Sequence, residues 1–312
     1  MNIKKIGLSA LAGSLVTTSA FAGAMSVAGS ASMNVEHTNG GFGNAGKTFS
    51  MSNQLTFSGS GELDNGMNVS LSFILDQGDD TAVSSGPFDS HSVSVSSDTL
   101  GTLKFSGEGG SSATSALDGT AAGDVWDNFD GTGDITPTGI GTGNNMFMYT
   151  LPTLMDDLSV NISYLPNTTG ADTAIGYSAT FSGVDGLSVS YGTGDGTDDA
   201  TDATALKASY AYGPVTVAWS NYEYDTTGTS SDNDTTSYKV TYTVSDDLSI
   251  SYGAETIEEG TSSDVETDSI KASYTTGGMT ISLATEEIQN SAGGTAATQD
   301  RERWALGASF AF

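Results

Sequence analysis

Five aspartates, Asp118, Asp124, Asp127, Asp130 and Asp134, fall in one segment, residues 108–144, that contains no lysine or arginine. Beside a water-filled passage, such a set would select ions by sign, because low-dielectric walls focus the field of fixed charges. A second set, Lys104, Lys207, Lys239, Lys271 and Arg303, could oppose it. Covalent chemistry lacks its parts. The chain has two histidines, His37 and His91, and no cysteine, so no catalytic residue is assigned and the chain is not read as an enzyme. The acidic stretch Gly194–Asp199 lacks the oxygen spacing of a calcium loop, and no phosphate loop or dinucleotide fingerprint is present. No metal site and no cofactor are therefore expected.

The elements that would position these charges have a period of two. Leu248-Ser-Ile-Ser-Tyr252 and Trp304-Ala-Leu-Gly-Ala-Ser-Phe-Ala-Phe312 place an apolar side chain at every second residue, which is the signature of strands with one greasy and one polar face. About sixteen such strands can be counted, from 24–36 at one end to 301–312 at the other. The gaps between them alternate. Leu63–Gly66, Asp98–Thr99, Gly183–Gly186, Gly213–Pro214, Ser245–Asp247 and Thr276–Gly278 carry turn chemistry. The intervening gaps (37–47, 78–89, 108–144, 165–173, 194–203, 225–235, 257–266 and 289–300) are long and polar. Short turns at one end and long loops at the other predict a closed transmembrane antiparallel β-barrel with lipid outside and water inside. An even strand count puts both chain ends on the short-turn side.

Alternation also assigns faces. Trp304, Leu306, Ala308, Phe310 and Phe312 should meet lipid, while Arg303 points inward. Tyr238, Val240 and Tyr242 face out, and Lys239 faces in. Lys104, Lys207 and Lys271 share the polar parity, as do Glu36 and Glu255. A lysine on the lipid face at mid-barrel would cost about 2–4 kcal/mol. The motifs Lys207-Ala-Ser-Tyr210, Lys239-Val-Thr-Tyr242 and Lys271-Ala-Ser-Tyr274 recur every 32 residues, as equivalent levels on successive descending strands. The first four strands, as bounded here, contain no Lys or Arg.

Composition sets further bounds. Met1-Asn-Ile-Lys-Lys5, an apolar run from Ile6 to Val16 and Ser19-Ala-Phe-Ala22 have the form of a secretory signal peptide, so residues 1–22 are expected to be removed and 23–312 to form the barrel. The whole chain carries a formal charge of −29. Removing Lys4 and Lys5 leaves seven bases against 38 acids, a charge of −31, which excludes a nucleic-acid partner. No apolar run is long enough for a membrane helix. All twelve tyrosines lie at or after Tyr149. The outward parity of the first strand (Met25, Val27, Gly29, Ala31, Met33, Val35) holds no ring. Aromatic girdles mark lipid interfaces, so this wall is expected to lie against another protein.

The chain resembles the general diffusion porins of Gram-negative outer membranes. The resemblance spans residues 23–312. It rests on Val27-Ala-Gly-Ser-Ala-Ser-Met33, Gly59-Ser-Gly-Glu-Leu-Asp-Asn-Gly66, Phe147-Met-Tyr-Thr-Leu-Pro152 and the Gly-Ala-Ser-Phe-Ala-Phe end with its terminal Phe312. It implies a homotrimer of sixteen-stranded barrels in the cell outer membrane, with the third long loop, here 108–144, folded into each pore as a constriction. It also implies that Phe312 serves as an assembly signal for the barrel-insertion machinery. The family often sets arginines on the wall opposite the loop carboxylates, and the early strands here offer none. The expected activity is passive diffusion of ions and small hydrophilic solutes, with cations preferred. The alternative from another class is a secreted or surface-attached acidic β-rich structural protein or adhesin.

Overall fold

The computed structural model describes residues 25–40, 46–76, 88–129, 143–166, 173–196, 201–226, 232–260, 262–291, 293–294 and 299–312. The expected signal peptide lies outside the described residues. The strands are β1 Met25–Gly40, β2 Gly46–Glu62, β3 Asn68–Asp76, β4 Phe88–Ser97, β5 Gly101–Glu108, β6 Met146–Thr150, β7 Leu158–Leu165 and β8 Ala174–Val184. There follow β9 Leu187–Asp195, β10 Thr201–Tyr212, β11 Val215–Thr226, β12 Asn233–Thr243, β13 Leu248–Glu259, β14 Val265–Thr276, β15 Met279–Gln289 and β16 Arg301–Ala311. Each is antiparallel to the next, and β1 pairs with β16, so all sixteen form one closed ring. Closure gives every strand two hydrogen-bonding neighbours, which a bilayer demands because lipid offers none.

Of the short turns, all but the one between β12 and β13 contain a residue at positive φ. Gly186 (φ 76°) and Gly277 (φ 57°) adopt it, in a region that costs a side-chain-bearing residue energy and a glycine little. No helix among the described residues is long and apolar enough to cross a membrane; the crossing elements are the strands. The outer face carries the exposed apolar side chains. Tyr212, Tyr242 and Tyr274 lie near the short turns, and Tyr164 and Tyr177 toward the long-loop ends. Between them lie residues such as Val217, Val240, Ile250 and Leu306. This is an apolar band edged by rings. The β1–β2 outer face differs: Met25, Val27, Met33, Phe49 and Met51 are all exposed, and Met33 stands directly opposite Met51.

Several strands run further than alternation predicts, mostly at the long-loop end. β1 continues to Gly40, β12 starts at Asn233 and β13 continues to Glu259. Here most side chains on both faces are polar, so the ladder persists after the greasy/polar signal has ended. One correction follows. β2 starts at Gly46 and takes in Lys47, so the first four strands do contain a base. It pairs with His37 and shares the parity of the exposed Phe49 and Met51, so it adds no charge to the inner face.

Candidate functional site

The inner face is best read along one row of the sheet. Lys207, Ser220, Ser237, Glu255, Thr267, Ile288 and Arg301 are successive directly opposed partners on β10 to β16. The segment between β5 and β6 lies along this row. Its base is closed by a two-way backbone bridge, Gly110 N–H to Gly143 O at 3.1 Å and Gly143 N–H to Gly110 O at 3.0 Å. Two short 3-10 turns, Ser115–Leu117 and Val125–Asn128, give it shape.

Polar wall residues bind its backbone one after another. Ala113 N–H donates to Ser163 Oγ (2.9 Å), Ala121 N–H to Ser220 Oγ (2.8 Å) and Ala122 N–H to Ser237 Oγ (2.9 Å). Lys207 Nζ donates to Gly119 O at 2.5 Å. Glu255, 2% exposed, accepts from the Thr120 hydroxyl, from Trp126 N–H at 3.2 Å and from the Thr267 hydroxyl at 3.2 Å. Arg301, equally buried, donates from Nη2 to Phe129 O at 3.2 Å, and its guanidinium lies 5.6 Å from the centre of the Phe129 ring. Gly253 makes the fit possible: a Cβ there would stand 2.7 Å from the Cβ of Ala122, inside van der Waals contact.

Apolar contacts complete the seat. Ala122, Val125 and Phe129 pack on Ile257, Val265 and Ile288 of the wall, and Leu117 packs on Ala203, Ala205 and Tyr222. These wall residues break the polar-inside rule because a protein segment, not water, covers them. Burial of apolar area here contributes about 25 cal/mol per Å².

Of the five loop aspartates, Asp118, Asp124 and Asp127 are described, whereas Asp130 and Asp134 lie outside the described residues. Asp124 takes a left-handed backbone (φ 51°, ψ 52°). Its Oδ1 accepts from Thr120 N–H at 2.9 Å, and its own N–H donates to Thr120 Oγ1 at 2.7 Å. Asp127 is exposed. Burial, and next the neighbouring Asp124 carboxylate, push the Asp118 carboxyl above the usual carboxylate range, against the opposing pull of Lys207.

The wall bases have different surroundings. Lys271 pairs with Glu286 at 3.2 Å. Arg303 donates from Nη1 to Glu286 at 2.5 Å and from Nε and Nη2 to Glu36, the Nε bond measuring 3.1 Å. Glu286 also accepts from Asn128 Nδ2 of the loop at 3.2 Å. Lys239 stands opposite Ala218 and Gly253 with no hydrogen bond or ion pair among the described residues. Lys104, opposite Ser94 and Met148, is exposed and makes no such contact with the described part of the loop. Phe312 exchanges backbone hydrogen bonds with Gly29 at 2.6 and 2.9 Å, and its ring lies against that glycine on the outer face.

Arg301 and Glu286 also belong to this site. Arg301 has the parity of Arg303, so alternation carried one step further up the last strand finds it. Glu286 takes its importance from what it binds, which no local pattern reveals.

A family model for Gram-negative porins matches residues 7–267. No curated protein matches the chain. Among solved structures, an anion-selective porin from Comamonas acidovorans is similar, with a TM-score of 0.69 and 17% identity over 93% of this chain and 99% of that one. Two engineered variants of Rh. blastica porin are similar at TM-score 0.68, with 15% and 17% identity, over 93% of this chain and all of theirs. At these identities the likeness speaks for the fold, and the family match carries the rest. The coat-protein or adhesin alternative has no place beside a closed sixteen-strand ring and that match. The chain belongs to the Gram-negative porins, non-enzymatic outer-membrane barrels that pass ions and small solutes.

Proposed function

We propose that the 108–144 segment is the throat of this porin and that the throat favours cations. One observation carries the reading: the inner-face bases near the loop are mostly engaged, while the exposed loop carboxylate of Asp127 is matched by none of them among the described residues. Lys207 is held to Gly119 O, Arg301 to Phe129 O, and Lys271 and Arg303 to Glu286. Asp127 is exposed and has no ion pair among the described residues. A negative field in a low-dielectric throat concentrates cations. The long-loop end adds Glu223, Asp225, Asp232, Asp234 and Glu258 around one cavity of about 260 Å³. The similar Comamonas barrel is anion-selective, so sign is a property of the side chains in the throat and not of the fold.

The test is the zero-current potential of single channels across a salt gradient. A potential of the sign that marks chloride preference would refute the reading. Replacing Asp124 and Asp127 together by Asn should bring the potential closer to zero.

Three further readings belong here. The β1–β2 outer face, with five exposed apolar side chains and no tyrosine, supports a homotrimer contact. Residues 1–22 act as a signal peptide, so protein taken from the outer membrane should begin at Gly23. Phe312 acts as the signal read by the barrel-insertion machinery, and its replacement by Ser should lower the yield of inserted barrel while leaving the selectivity of inserted channels unchanged.

A further inference from the structure

The inner-face bases do not form one class. Lys207 and Arg301 bind main-chain carbonyls of the loop, at Gly119 and Phe129. Neither carbonyl accepts a second hydrogen bond among the described residues, so losing its base leaves an orphan acceptor in a largely buried place. Arg301 is 2% exposed, and no hydrated ion can reach a group so covered. Lys239 is the contrary case. It lies on the same wall, within the span the loop crosses, has no hydrogen-bond or ion-pair partner among the described residues, and is neighboured by the side-chain-free Gly253.

We propose that Lys207 and Arg301 are positioning residues of the throat, clamping the loop at two points, and that Lys239 is the base whose charge acts on a passing ion. This rests on the throat reading above. The wall between the clamps adds holds from Ser220, Ser237 and Glu255, on consecutive strands. The clamps therefore set where the carboxylates stand, and Lys239 sets how far their field is offset.

Single-channel recording on the full chain in planar bilayers separates the roles. Lys207→Met and Arg301→Met should give a flickering open current, with the share of time spent in a loop-displaced level raised about tenfold, as expected for one lost hydrogen bond to a charged donor. Lys207→Arg keeps charge and donor, and should restore a quiet current. Lys239→Met should leave the current quiet and move the zero-current potential further in the cation direction. Heat-dependent migration in SDS confirms that each variant is a closed barrel, and if Arg301→Met does not assemble, the Lys207 pair decides. A quiet Lys207→Met channel whose potential shifts like that of Lys239→Met would overturn the proposal. The exposed Asp127 provides the separate control. If Asp127→Asn leaves the potential unchanged, it is the throat reading that fails, and the clamp falls with it.

Discussion

Arg303 of β16 binds Glu36 of β1 across the seam where the ring of strands closes. The same guanidinium holds Glu286 of β15, whose side chain is 1% exposed. The last two strands and the first are thus joined by side chains as well as by backbone. Arg303→Met should lower barrel stability by about 2 kcal/mol, the loss of hydrogen bonds to charged groups, partly relieved because Lys271 and Asn128 still hold Glu286. The temperature at which the SDS-resistant barrel converts to the unfolded band measures this. An unchanged temperature would mean that the backbone ladder alone holds the seam.

The close approach of Ala122 to Gly253 makes a steric prediction. Gly253→Val would place atoms where the loop now lies, and overpacking of this kind costs about 1–3 kcal/mol. The strand can keep its ladder, so the cost should fall on the seating of the loop. Expected are barrels of ordinary heat-dependent migration with an altered, noisier current. A normal current would show that the loop does not rest on this glycine.

Asp118 gives a pH dependence. Burial and the Asp124 carboxylate hold its carboxyl above the usual range. A group whose folded pKa is raised contributes stability that is fully present below its unfolded value, about 3.9 for Asp, and loses it as pH rises through the raised value. Acidification therefore tightens the seat of the loop and removes one negative charge from it. Cation preference should begin to fall at a pH above the ordinary aspartate range. Asp118→Asn should flatten that part of the titration. A curve identical to that of the parent protein would exclude Asp118 as the group.

Met33 and Met51 stand opposite one another on the exposed β1–β2 face. Changing both to Glu puts like charges on facing positions of a surface proposed to meet another subunit. Monomers in mild detergent, each still conducting, are the expected result. Trimers that survived the change would move the contact to another face of the barrel.

The barrel was largely legible because a bilayer imposes a strict period on any strand that crosses it. Trp304, Leu306 and Phe310 against Arg303 and Ser309 could be sorted by counting. Above the membrane the rule lapses, so the extensions of β1 to Gly40 and of β13 to Glu259 could not be seen. The inner seat was hidden for another reason. Ile288 is apolar on a face expected to be wet, Ile257 and Val265 fall in a stretch expected to be a polar loop, and only the covering segment explains them. Glu255 has the right parity, but its three donors arrive from Thr120, Trp126 and Thr267, two of them from a segment more than a hundred residues away. Such pairings leave no trace in a local pattern.

The wall row that receives the loop consists of residues made long after it. Lys207, Ser220, Ser237, Glu255 and Arg301 follow their loop partners by 88, 99, 115, 135 and 172 residues. Contacts that join distant parts of a chain form slowly, and the binding row exists only once β10 to β16 have assembled side by side. Seating of the loop is therefore a late event in folding, later than most of the barrel. Refolding followed by Trp126 fluorescence should lag behind acquisition of SDS resistance. In the interval the protein would be a wide, unselective hole: it conducts before it discriminates.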